Sequence, residues 1–264
     1  MLGPAKRLYL ETRKKHDQLW NRFVVRPIAA PIVVLLVPTP VTPNQLTFLN
    51  LFLFAVAAVL LALLPGLRGG VIAVAVLQLS YVFDCADGML ARAKKLASPT
   101  GHLLDFLTDE IKAFLLVGGL AVRLWLSGGW GPDATGWAAR DPRFLLAGIF
   151  GLVVVATGIS LTTFTRRPEY TGKATTTEAH YETAGAAGPP ASPIRRAVGL
   201  ALTFLRFLNH YPSHVWLFAA VGRLDWFFWM YLVLNSLYAG QTMLAVLLKL
   251  GGPGAYAKRP TEGR

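Results

Sequence analysis

Six mostly apolar stretches, at residues 42–64, 71–95, 99–126, 144–164, 204–221 and 226–248, alternate with short polar breaks. Each is near or above the ~20 residues that cross a hydrocarbon core of about 30 Å. Backbone polar groups in a bilayer must be satisfied within their own segment, so the pattern predicts an all-α, polytopic membrane protein with six transmembrane helices. The breaks carry helix-start signals. Thr42-Pro43-Asn44-Gln45 has the form of a capping box with proline at the first helical position, and Ser98-Pro99 repeats the N-cap and proline pair ahead of the third stretch. The second helix is expected to begin after Arg68-Gly69-Gly70 and to run to Lys94 or Lys95. The fifth stretch is the weakest, because Arg206, Asn209, His210 and Pro212 interrupt it.

Two segments fall outside this pattern. Residues 1–41 begin with Lys6, Arg7, Arg13, Lys14 and Lys15 and turn apolar from Phe23, with Pro27 and Pro31 expected to interrupt. That order suits an interfacial amphipathic helix, whose cations meet anionic headgroups while Trp20 and Phe23 lie at the boundary. Residues 168–193 are rich in Thr, Ala, Gly and Pro without apolar periodicity, which predicts a mobile cytoplasmic loop. The whole chain, 1–264, reads as one membrane domain.

Composition agrees with this architecture. Of 264 residues, 54% are hydrophobic and 15% charged, and the mean hydropathy is +0.47. The net charge of +12 would suit a nucleic-acid partner, but its distribution does not. With six spans, 19 of the 26 lysines and arginines fall on one side, together with both termini, the Asp84–Asp109 end and Arg166. The positive-inside rule makes that side cytoplasmic and accounts for the charge without nucleic acid. The first apolar run follows a long charged segment with no small-residue cleavage site, so insertion is expected to start at the first span rather than at a cleaved leader. Cys85, the single cysteine, can form no intramolecular disulfide and reads as a small hydrophobe.

The chemistry concentrates between positions 84 and 109, which read Asp84-x2-Asp87-Gly88-x2-Ala91-Arg92-x8-Gly101-x3-Asp105-x3-Asp109. Asp84 and Asp87 share one helix face, and Asp105 and Asp109 share a face of the next helix. Carboxylates inside apolar helices are costly and mark function. Clustered hard oxygen donors suit Mg2+, Mn2+ or Ca2+ rather than zinc. Gly88, Ala91 and Gly101 leave room for a flat ring or sugar beside the backbone, and the planar fork of Arg92 can take a phosphate or else snorkel to the interface.

This spacing resembles the signature of the CDP-alcohol phosphatidyltransferases, membrane enzymes that move a phospho-alcohol group from a cytidine diphosphate carrier to a hydroxyl acceptor. Every fixed position of that signature is matched. The resemblance implies transfer from a CDP-alcohol such as CDP-diacylglycerol with release of CMP, in phospholipid synthesis. It also implies one or two divalent ions on Asp84, Asp87, Asp105 and Asp109, with Asp109 as general base, and a homodimer among membrane lipids. Pro43-Asn44-x2-Thr47 is similar to the family's first span, which makes Asn44 and Thr47 nucleotide contacts together with Gly88, Ala91, Arg92 and Gly101. The N-terminus of that span is expected to present free N–H groups to a diphosphate.

For the acceptor, Lys112 lies one turn deeper than Asp109 and can pair with an aspartate or bind substrate. Arg166, Arg167 and Arg206 could form a basic pocket for a phosphorylated acceptor. His210 reads as a satisfied interfacial histidine. Intramembrane carboxylates also mark ion paths, which makes a divalent-cation transporter or channel the alternative. Against it, the polar groups cluster toward one membrane face, whereas a path needs them across the bilayer.

Overall fold

The computed structural model describes residues 2–13, 17–129, 137–171, 204 and 207–251, all of them helix, turn or irregular, with no strand among the described residues. Helix α1 (Leu2–Glu11) is followed by a π-helical turn, Asn21–Val25, that runs directly into α2 (Arg26–Leu36). The long helices are α3 (Pro43–Leu63), α4 (Gly66–Ala93), α5 (Pro99–Ser127) and α6 (Pro142–Thr165). After a single turn, α7 (Pro168–Thr171), the next full α-helices in the described chain are α8 (Val215–Ala220) and α9 (Leu224–Gly251).

Four of these helices, α3, α4, α6 and α9, are long and apolar enough to cross a membrane. Large apolar side chains point outward from them, among them Phe52, Val59, Ile149, Phe150, Val233 and Leu244. Such a surface is suited to lipid and not to water. Helix α5 has the length, 29 residues, but carries Asp105, Asp109, Glu110, Lys112 and Arg123 along it.

The expected fifth span is not one continuous helix. Residues 205 and 206 lie outside the described set, His210 leaves helical geometry at φ −82°, ψ 77°, and a 3-10 turn, Tyr211–Ser213, precedes the six-residue α8. Pro212 has no N–H to give a helix and disfavours helical geometry in the residue before it. The Ser213 hydroxyl instead closes the turn onto the His210 carbonyl at 2.6 Å. The expected mobile loop lies almost entirely outside the described residues.

Two further expectations are corrected. Pro27 and Pro31 do not interrupt α2, since Pro27 occupies its first turn and Pro31 is carried inside it. Arg68-Gly69-Gly70 does not precede the second span but lies within α4, which starts at Gly66. The connection from α3 is so short that a Cβ on Gly69 would come 2.5 Å from the Leu64 carbonyl oxygen. The glycine is the clearance for the turn. Arg123 of α5 secures the same turn, donating to the carbonyls of Leu61 (3.2 Å) and Leu64 (2.7 Å), where a cation also meets the negative end of α3.

Helices α3, α4 and α5 form the centre. Phe54, Leu61, Leu77, Leu116 and Leu120 are buried between them, and Phe144, Phe227 and Phe228 extend the same core to α6 and α9. A Cβ on Gly119 would meet the Ala58 carbonyl oxygen at 2.9 Å, so that position lets α5 lie close on α3. A second core, including Val25, Ala29, Val33, Leu46, Ala86, Met89 and Leu90, holds the N-terminal helices against the site-bearing end of α4.

Candidate active site

The capping residues place the site. Thr42 starts α3 with a complete capping box: its hydroxyl accepts from the Gln45 N–H at 3.3 Å, and the Gln45 side chain accepts from the Thr42 N–H at 2.9 Å. Ser98 starts α5 by accepting from the Gly101 N–H at 3.1 Å. Because these first turns lie side by side, a Cβ on Gly101 would sit 3.8 Å from Asn44 Oδ1 and 3.3 Å from Ser98 Oγ. The α3 N-terminus offers an anion less than expected. Its cap already uses the Thr42 and Gln45 N–H groups, and Pro43 has none, leaving Asn44 as the first-turn residue outside the box.

One to two turns deeper, three carboxylates converge. Asp84 from α4 and Asp105 and Asp109 from α5 each bring an oxygen within 4.8 Å of the others, the first two half-buried and Asp109 exposed. Lys112, 2% exposed, sits beneath them and donates from Nζ to Asp84 Oδ1 at 2.5 Å and to Asp109 Oδ1 at 2.6 Å. It thus makes the aspartate pairs of the first of its two sequence readings. Asp87 stands outside the group of three. Its carboxylate accepts from the Thr47 hydroxyl at 2.7 Å and from the Gly88 N–H at 2.5 Å. Thr47 is itself buried, so its polar atom serves Asp87.

The remaining sequence candidates are spread around this cluster. The Arg92 guanidinium folds over Gly88, where a Cβ would lie 3.5 Å from Nη1, while its Nε donates to the Thr12 carbonyl at 2.9 Å. It therefore ties the N-terminal segment to the edge of the site. Ala91 is half-buried on the same turn. Arg166 caps α6 and stacks on Phe106, 5.1 Å from the ring centre, which sets it beside α5; Arg167 follows it and is exposed. Arg206 lies outside the described residues. The His210 imidazole is held at Nε2 by the Tyr81 hydroxyl at 2.6 Å, while its buried Nδ1 has no partner among the described residues.

Two polar residues of the site escaped the sequence reading. Asn50 and Ser80, both 0% exposed, lie between α3 and α4, with Ser80 Oγ donating to Asn50 Oδ1 and Asn50 Nδ2 donating to Asp84 Oδ1, each at 2.8 Å. Their spacing was the available signal. Asn50 follows Thr47 by three in an apolar helix, and Ser80 precedes Asp84 by four.

The carboxylate set fits a hard divalent cation: its donors are all oxygen, they come from two rigid helices, and one lysine opposes three negative charges. A family model described as CDP-alcohol phosphatidyltransferase matches residues 40–183, a stretch that runs from the start of α3 through both acidic helices. A bifunctional IPC transferase and DIPP synthase of Rubrobacter xylanophilus is 38% identical over 87 residues, covering 33% of this chain and 19% of that relative. The chain thus matches about a fifth of the length of that curated relative.

Proposed function

The chain belongs to the CDP-alcohol phosphatidyltransferase family, and from that premise we propose that it transfers a phospho-alcohol group from a CDP-alcohol such as CDP-diacylglycerol to a hydroxyl acceptor, releasing CMP. The observation that carries this reading is the convergence of Asp84, Asp105 and Asp109 within 4.8 Å. With Asp87 completing the set from its seat on Thr47, these residues would hold one or two Mg2+ or Mn2+ ions. Ca2+ has the same ligand preference and is expected to compete. When bound, such an ion neutralises charge on phosphate oxygens.

The chain's own groups do the rest. The acceptor oxygen attacks the phosphorus that carries the donated alcohol, a P–O bond forms there, and the P–O bond to CMP breaks, CMP leaving with the electron pair. Asp109, the exposed carboxylate of the three, takes the hydroxyl proton. Asn44, Gly88, Ala91, Arg92 and Gly101 would border the nucleotide, with Thr47 acting through Asp87. Lys112 neutralises the inner side of the carboxylates, and Arg166, Arg167 and Arg206 are proposed for a phosphorylated acceptor.

The protein is an all-helical integral membrane protein. We place both termini and the active site on the cytoplasmic side of a six-crossing layout, with α5 and the chain around α8 as the two crossings beyond the four apolar helices. In this layout α1 and α2 lie at the interface and two copies form a dimer. The charge asymmetry between loops supports the orientation.

The test is CMP release by the purified full chain in detergent. CDP-diacylglycerol and CDP-inositol would be offered with Mg2+ or Mn2+ and a panel of free and phosphorylated polyols. Metal-dependent CMP release with one pair is expected. No release from any pair, together with divalent flux in liposomes, would replace this reading with a transporter.

A further inference from the structure

The contacts on Asp84 are one-sided. Lys112 Nζ at 2.5 Å and Asn50 Nδ2 at 2.8 Å both donate to the same oxygen, Oδ1. Two donors on one carboxylate oxygen occupy its lone pairs and fix the rotation of the group, which leaves Oδ2 for a further ligand. Lys112 alone would not do this, because its ammonium is a rotatable point charge on a flexible stem. The planar amide of Asn50 supplies the direction.

The amide in turn needs orienting. Flipped by a half-turn, it would set Oδ1 against the Asp84 carboxylate, oxygen to oxygen. Ser80 Oγ donates to Asn50 Oδ1 at 2.8 Å and so favours the productive orientation from the other end. Asn50 and Ser80 are both 0% exposed, where no water replaces a lost partner. The chain Ser80–Asn50–Asp84 thus runs from α4 to α3 and back to α4, and fixes the carboxylate against the helix that starts at the Thr42 cap.

We propose that Asn50, held by Ser80, is a positioning residue that sets the Asp84 carboxylate for divalent-cation binding. This rests on the metal-site reading above. It also assigns the partly apolar first span a role in the site that the spacing of the aspartates does not reveal. Partners of this kind around metal ligands are typically worth about 10–100-fold in metal affinity.

The test reads metal binding directly. Mn2+ would be titrated into the full chain in detergent, with free Mn2+ followed by electron paramagnetic resonance, for wild type, Asn50→Leu, Ser80→Ala and, as a control outside the site, Tyr81→Phe. Asn50→Leu should weaken Mn2+ binding by about 10–100-fold and Ser80→Ala by a smaller factor, with Tyr81→Phe unchanged. Wild-type Mn2+ affinity in folded Asn50→Leu overturns the proposal, and if that variant does not fold, unchanged affinity in Ser80→Ala does. Weakened Mn2+ binding in a protein whose wild type releases no CMP would overturn the transfer reaction and leave the positioning role standing.

Discussion

Helix α4 carries two polar faces of opposite character. Toward α3 and α5, Asp84 meets Asp105, Asp109 and a single lysine, with Asp87 bonded to the Thr47 hydroxyl. Toward the N-terminal segment, Tyr81 meets Asn21 and His210, Arg92 donates to the Thr12 carbonyl, and Arg26 pairs with Asp17. The first face has more carboxylates than cations and is open at Asp109. The second pairs the Arg26 guanidinium with the Asp17 carboxylate and is closed, the two side chains being only 5% and 7% exposed. A buried site that keeps unbalanced negative charge at an opening has a use for a cation from outside, whereas a closed network stabilises only as long as each member stays. One face is open to solvent at Asp109. The other clamps the N-terminal segment to the helix that bears the site.

The largest effect that separates the faces is Asp109→Asn. A positioned base contributes about 10²–10⁴-fold, so CMP release should fall by about a thousandfold while the melting temperature holds, since Lys112 keeps Asp84 as partner. Near-normal turnover would remove Asp109 as the base. Asp17→Ala should do the reverse. It strands Arg26 without its carboxylate, which costs about 3–5 kcal/mol of stability, read as a lowered denaturation midpoint, while turnover per folded molecule stays close to wild type. Turnover lost in proportion to stability would mean that the N-terminal clamp is part of the site.

Lys112→Met sharpens the contrast from the inside. Removing the one cation among three carboxylates should destabilise the protein by about 3 kcal/mol in chelator, and millimolar Mg2+ should restore more stability to this variant than to wild type. The same added Mg2+ should leave Asp17→Ala unimproved. Equal rescue of both would mean the ion does not bind at the carboxylates.

What the sequence revealed follows the same division. The aspartates were legible because charge in an apolar helix is conspicuous and its spacing places it on one face. The Thr42 and Ser98 caps were legible because capping is local chemistry. Asn50 and Ser80 carry no charge, and their part appears only when α3 is laid on α4. The N-terminal clamp was less visible still, since its contacts to α4 join residues 60 or more apart, Tyr81 to Asn21 and Arg92 to Thr12. The break at His210 was signalled by Pro212, yet residue pattern alone could not show that the turn is anchored by Gln78, which donates to the Pro212 carbonyl at 2.7 Å.

The smallest prediction tests whether the two faces are independent. The Tyr81 hydroxyl lies 2.7 Å from Asn21 Oδ1 and 2.6 Å from His210 Nε2, so it links the N-terminal segment to the broken helix before α8. Tyr81 is three residues from Asp84 on the same helix, close enough in sequence for a rigid helix to transmit a shift. Tyr81→Phe keeps the ring and removes the two hydrogen bonds, which should cost about 1 kcal/mol net, more if His210 is left unpaired. Because the ring still fills its place, α4 should not move, and the Mn2+ affinity and kcat for CMP release should match wild type. A loss of only stability means that α4 isolates its faces. A loss of Mn2+ affinity at unchanged stability would mean that the clamp sets the rotation of α4, and with it the direction in which Asp84 points.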